Sequence, residues 1–134
     1  MPKIQAGNIT MNYDQQGTGE PLVLIPYLTA DYACYALQVA DYSKQFTCVS
    51  VDLRGTGESD KPAGVYSTEM FADDVATLMQ AIGVDEAHVV EVGGARGVRG
   101  REDLKSGGQS AGIDIASQRL HEWLQLGVRA TFWL

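Results

Sequence analysis

The sequence predicts an α/β fold: a mostly parallel sheet with an N-terminal antiparallel hairpin and helices on its flanks. Three observations predict it. Short apolar runs at residues 21–25, 46–52 and 88–92 each end in turn residues, as buried strands do. Between them lie stretches with helical spacing of apolar residues, and strand–helix–strand alternation implies right-handed crossovers and parallel pairing. Gly7-Asn8 separates two short extended runs at the start and marks a hairpin turn.

The elements follow in order. Residues 3–6 and 9–15 form the hairpin, and residues 16–20 are a loop. Residues 21–25 are a strand closed by Pro26. Asp31 caps a helix over residues 32–44, with Ala33, Cys34, Leu37 and Ala40 expected on its apolar side. A strand over 46–52 empties into a glycine-rich loop. The helix over 69–82 is the clearest element: Phe71, Val75, Leu78 and Ile82 recur at i, i+4, i+7 and i+11. Glu69 suits its positive N-terminus and Gly83 stops it. Residues 88–92 are the next strand. Further on, residues 113–126 have an amphipathic pattern, and residues 128–134 are apolar enough for a short strand or a docked terminus.

At 134 residues and 45% hydrophobic content the chain can bury a core and is too apolar for disorder. The net charge of −7 argues against nucleic acid or an anionic membrane as a partner. The charge is uneven. Residues 1–92 carry 4 Lys/Arg against 13 Asp/Glu, whereas residues 93–134 carry 6 against 4. The break coincides with the start of a glycine-rich run, so residues 1–92 and 93–134 read as two kinds of sequence packed on one domain, and a change of reading frame or gene at that point would account for it. Cys34 and Cys48 have neither the spacing of a disulfide framework nor that of a zinc site, and both are expected to be small buried hydrophobes. No cofactor or metal is expected. No apolar run follows Met1-Pro2-Lys3 and none approaches membrane length, so the expected location is the cytoplasm.

The loop Asp52-Leu53-Arg54-Gly55-Thr56-Gly57-Glu58-Ser59 follows an apolar strand and reads D-x-R-G-x-G-x-S. With the phrase Ile82-Gly83-Val84-Asp85-Glu86-Ala87-His88-Val89-Val90, it resembles the α/β-hydrolase family over residues 1–92. The resemblance implies a truncated α/β-hydrolase-like sheet and, by kinship with small serine esterases and C–C or lactone hydrolases, a hydrolase of small carboxylic esters. It also implies an oxyanion hole after the third strand. There the family's His-Gly is replaced by Pro26-Tyr27-Leu28, and a backbone N–H of Tyr27 or Leu28 is the expected donor, because the chemistry needs an N–H and no particular side chain.

The family then requires a G-x-S-x-G turn that lifts a serine above the sheet. This chain has Glu91-Val92-Gly93-Gly94-Ala95, with Gly93 in the nucleophile's place. Its G-x-S-x-G is downstream, Gly108-Gln109-Ser110-Ala111-Gly112, in a segment so rich in glycine that composition alone can produce the pattern. Ser110 is the candidate nucleophile and His121 the candidate base. Nine helical residues from Gly112 to His121 advance the axis about 13 Å, whereas a Ser–His hydrogen bond needs about 3 Å. The base is therefore expected from a second copy of the chain. His88, at a strand start, is expected to have no catalytic part, and Asp52 and Ser59 are expected to shape their loop. The run from Gly93 to Gly100 lacks G-x-G-x-x-G, which sets aside a dinucleotide loop. The alternative to an enzyme is a non-catalytic half-domain that self-associates. A homo-oligomer is expected either way, through residues 113–134 or through the edge of residues 89–92, unless residues 128–134 fill the strand position beside that edge.

Overall fold

A computed structural model describes residues 2–27, 29–91 and 129–133. The strands are β1 (Lys3–Ala6), β2 (Ile9–Gln16), β3 (Glu20–Ile25), β4 (Phe46–Val51), β5 (Glu86–Glu91) and β6 (Arg129–Trp133). A 3-10 turn (Tyr32–Tyr35) leads into α1 (Ala36–Tyr42) between β3 and β4, and α2 (Thr68–Ala81) joins β4 to β5. The six strands form one sheet in the order β1-β2-β4-β3-β5-β6. The β1–β2 and β2–β4 pairs are antiparallel; β4–β3, β3–β5 and β5–β6 are parallel. The expected α/β architecture and antiparallel hairpin edge are therefore present.

Strand alternation divides the core in two. Val23, Ile25, Val49, Val51 and Val89 face α2, where Phe71, Val75, Leu78 and Met79 cover them. Leu22, Leu24 and Cys48 face the other way, toward Tyr35 and Val39. Helix α2 has the stripe its spacing predicts, and the Ser67 hydroxyl caps it by accepting from Met70 N at 3.2 Å.

The α1 region differs from its expected face. Asp31 does cap it, its side chain accepting from Ala33 N at 3.0 Å. But Ala33, Cys34, Leu37 and Ala40 are exposed, Leu37 at 87%, and the buried side chains are Tyr35 and Val39. Tyr35 is longer and has a polar tip that finds a partner: its hydroxyl donates to Ile25 O at 2.6 Å. One consequence is that Cys34 lies at the surface while Cys48 alone is buried.

Strands β2 and β3 are joined by three residues, yet they do not pair, because β4 lies between them. The connection must pass tightly against the chain entering β4. A Cβ at Gly17 would overlap the Phe46 and Ser43 carbonyl oxygens, and one at Gly19 would overlap that of Gln45, so only glycine fits at either place. The far edge of β5 is filled: Arg129–Trp133 pairs along it in parallel, from Glu86↔Arg129 to Val90↔Trp133, so residues 129–133 take the place that would otherwise be open and β5 is interior. Among the described residues no helix is long and apolar enough to cross a membrane.

Candidate functional site

The carboxyl ends of β3 and β5 lie side by side, with Leu24↔Val90 and Ile25↔Glu91 in register. The connection from β3 runs to β4 on one side, whereas β5 is followed in the sheet by β6 on the other. This is the point in an open α/β sheet where strand order diverges and a crevice forms. Pro26 and Tyr27 leave β3 here; Pro26 is buried and Tyr27 is 42% exposed.

Three bonds hold the β3–α1 connection. Tyr35 Oη donates to Ile25 O at its start, Ala30 N donates to Tyr27 O at 2.9 Å within it, and Tyr32 N donates to Asp52 Oδ1 at 2.8 Å at its end. The last of these places the D-x-R-G-x-G-x-S loop underneath. Asp52 is fully buried and its carboxylate joins three elements: it accepts from Tyr32 N, from Asn12 Nδ2 of β2 at 2.8 Å, and from Glu58 N at 2.9 Å. Glycine at 57 makes the last bond possible, since its φ is +47° and a Cβ there would overlap the Asp52 carboxylate.

The rest of the loop closes on β2. Ser59 Oγ donates to Asp52 O at 2.7 Å and accepts from Asn12 N at 2.8 Å. Asp60 N donates to Thr10 O at 3.0 Å, and Asp60 Oδ2 accepts from Thr10 N at 2.7 Å. Arg54 turns to the opposite face and makes a bidentate pair with Asp74 of α2, both contacts 2.6 Å. Both side chains are about 5% exposed. Burial pushes the Asp74 carboxyl up from its ordinary range, opposed by the guanidinium beside it, and the hydrogen bonds that Arg54 donates to Asp74 raise Arg54. Asp52 and Ser59 thus shape the loop, as expected, and their lone pairs and protons are spent on structure.

His88 pairs with Leu22 in register and its Nε2 lies 2.8 Å from Glu20 Oε2, with its ring edge-on to Phe46 at 5.9 Å. It is at the amino end of the parallel strands. Five residues of strand separate Leu22 from Tyr27, roughly 16 Å at 3.3 Å per residue, so His88 is remote from the site end. Ser110, His121 and Leu28 lie outside the described residues, as does the G-x-S-x-G turn. Among the described residues there is no group of three His, Cys, Asp or Glu side chains that could hold a metal ion. What the described residues offer at the β3 end is a backbone turn held in place by the three hydrogen bonds of the β3–α1 connection.

Sequence reasoning missed three supports of this turn. Asn12, Tyr32 N and Tyr35 meet Asp52 or Ile25 from 10 to 40 residues away, and no local pattern announces such bonds. Asp74 did carry a signal. It stands in the apolar stripe of α2, beside Phe71, Val75 and Leu78, where a carboxylate needs a buried cation.

Residues 20–90 match the family model described as "alpha/beta hydrolase fold". Among curated relatives, the 2-(acetamidomethylene)succinate hydrolase of Mesorhizobium japonicum is 32% identical over 72% of this chain and 34% of its own length. The soluble epoxide hydrolase of a Corynebacterium species is 32% identical over 60% of this chain and 28% of its own length. Among solved structures, the enol-lactonase from Burkholderia xenovorans superposes with a TM-score of 0.67 at 29% identity, covering 69% of this chain and 37% of that one. The chain spans about a third of the length of the relatives it matches. With the family model covering more than half of the chain, the chain belongs to the α/β-hydrolase fold family.

Proposed function

We propose that the chain is a hydrolase of small carboxylic esters whose site is built at the adjoining ends of β3 and β5. The observation that carries this reading is the pinned turn after β3. Tyr35 holds its first carbonyl and Asp52 its last amide, directly beside the end of β5. In this reading an N–H of Tyr27 or Leu28 binds the oxyanion. Ser110 Oγ attacks the ester carbonyl, and His121 from a second copy of the chain takes the serine proton and delivers it to the leaving alkoxide. Water then cleaves the acyl-enzyme and restores the serine. The enol-lactonase likeness supports an ester substrate, since a lactone is a cyclic ester. Because no carboxylate has been assigned to orient the base, turnover is expected to be weak, with a rate enhancement of about 10³-fold from binding and the oxyanion hole.

A fluorophosphonate probe followed by peptide mapping tests the reading. The expected adduct is on Ser110 and is lost in Ser110→Ala. An adduct that persists in Ser110→Ala removes Ser110. Robust ester hydrolysis without any adduct removes serine attack. A turnover number on the order of 10 per second would show a complete site elsewhere.

A second reading, a non-catalytic chain that self-associates, is favoured by the outer edge of β6. Its sequence, Arg-Ala-Thr-Phe-Trp, lacks the proline and lysine that guard the opposite edge at Pro2 and Lys3. Sedimentation at micromolar concentration is expected to give a dimer or larger species under either reading, and a clean monomer would remove both the assembly and the shared His121.

A further inference from the structure

Two buried polar atoms in the centre of the sheet have no hydrogen-bond partner among the described residues: Asn12 Oδ1 and Ser50 Oγ. Asn12 is 0% exposed and Ser50 1%. Leaving one such atom unpaired in a protein interior is costly, so each calls for a partner.

The register places them together. Tyr13↔Val51 and Asp14↔Ser50 pair β2 with β4, and Asp52 N donates to Asn12 O at 3.0 Å, which extends the pairing to Asn12 and Asp52. Residues directly opposite share a sheet face, and so do residues two apart on a strand. Asn12, Asp14, Ser50 and Asp52 therefore lie on one face, with Asn12 and Ser50 diagonal to each other. Diagonal neighbours are separated by about 7–8 Å between Cα atoms, closer between side chains. One water molecule making two bonds of about 2.8 Å spans the remaining gap.

The chemistry of the two groups also fits a water. The amide orientation of Asn12 is set by its Nδ2, which donates to the Asp52 carboxylate, so Oδ1 is the atom left over and it can only accept. Ser50 has a hydroxyl proton to give. A water takes the Ser50 proton bond on its oxygen and donates to Asn12 Oδ1. The nearby charged groups have other partners: the Asp52 carboxylate is engaged by Asn12, Tyr32 and Glu58, Asp14, opposite Ser50, accepts from Gln16 Nε2, and Lys3, opposite Asn12 on β1, reaches Glu58.

We propose that Asn12 and Ser50 hold a buried structural water between β2 and β4. Through Asn12 it supports the Asp52 carboxylate, and through Asp52 the amide of Tyr32 at the end of the β3–α1 turn. This site is independent of whether Ser110 or His121 is catalytic.

The sign of one substitution tests it. If the water is present, Ser50→Ala removes one of its partners, and the folding equilibrium constant is expected to fall about three- to tenfold in urea titration. If the hydroxyl is simply unpaired, its removal relieves a penalty and the constant rises, which overturns the proposal. A crystal structure of the full chain supplies the second measurement. The expected result is a water peak within hydrogen-bond distance of both atoms, absent or displaced in Ser50→Ala. A Ser50 hydroxyl bonded instead to a protein carbonyl, with no peak beside Asn12 Oδ1, would also overturn it.

Discussion

On one face of the sheet α2 lays Phe71, Val75, Leu78 and Met79 across Val23, Ile25, Val49 and Val51; on the other, among the described residues, the α1 region brings Tyr35 and Val39 to Leu22, Leu24 and Cys48. The first face is held by burial and by one enclosed ion pair, Arg54–Asp74. On the second, directional bonds are prominent among the described residues: Tyr35 to Ile25 O and Tyr32 N to Asp52. The β3 turn that carries the candidate oxyanion amides belongs to the second face. A turn fixed by a few bonds can be altered without dismantling the core.

The largest break in this comparison is expected at the ion pair. Arg54→Met leaves the Asp74 carboxylate buried without its cation and should cost about 3–5 kcal/mol in denaturant unfolding. Pairing it with Asp74→Leu should recover most of that loss; a double variant no better than the single would show that packing, not charge, is at stake. Next, Leu78→Ala on the α2 face should cost about 2–5 kcal/mol, and Val39→Ala on the α1 face about 2 kcal/mol, near two methylene equivalents. Equal costs would erase the inequality of the two faces.

Tyr35→Phe removes the donor to Ile25 O and is expected to cost about 1–3 kcal/mol. Hydrogen exchange should quicken at the β3 turn and stay unchanged along α2. Uniform quickening would mean that the turn is not locally held. The cysteines give a chemical reading of the same face. Cys34 should be alkylated in the folded protein and Cys48 should not. Burial and then the nearby Asp31 push the Cys34 thiol above its ordinary value of 9.0, so its alkylation rate should still be climbing at pH 9. Protection of Cys34 would contradict its exposed place in the 3-10 turn, and a rate already level at pH 8 would contradict the raised thiol. The smallest effect is expected at Leu37→Gln, within about 0.5 kcal/mol, because that side chain is 87% exposed.

The sequence was readable where one period decided the matter. Helix α2 has polar residues between its apolar ones, so its face is unambiguous. The α1 region has Ala33, Cys34, Tyr35, Leu37, Val39 and Ala40 nearly all around, and no period can choose among them. Its true face is chosen by the Ile25 carbonyl, which attracts the one side chain with a hydroxyl at the right length. The strand character of residues 129–133 was readable from composition and the vacant place beside β5 from the family resemblance, but the parallel register was not, since it leaves no local trace. For the candidate site, the β3 end and the D-x-R-G-x-G-x-S loop were legible because glycines and charged residues are conspicuous there. Asn12 and Tyr35 were not, because ordinary strand and helix residues carry their bonds. Ser110 and His121 rest on the sequence pattern alone.

The narrow passage at Gly17 and Gly19 has a consequence for the order in which the chain acquires its shape. β2 and β3 are joined by a connector of hairpin length, and both are complete before any of β4 has been made. The 26 residues from the end of β3 to the end of β4 take about 1–5 s to synthesise, whereas a hairpin closes in about 1–10 μs. The emerging chain therefore has ample time to pair β2 with β3, an arrangement the finished sheet forbids. β4 must displace that pairing and insert between the two strands, and the glycines are what allow the short connector to step over it. The slowest event in forming this sheet is thus expected to be an exchange of partners, set by how readily a premature hairpin lets go.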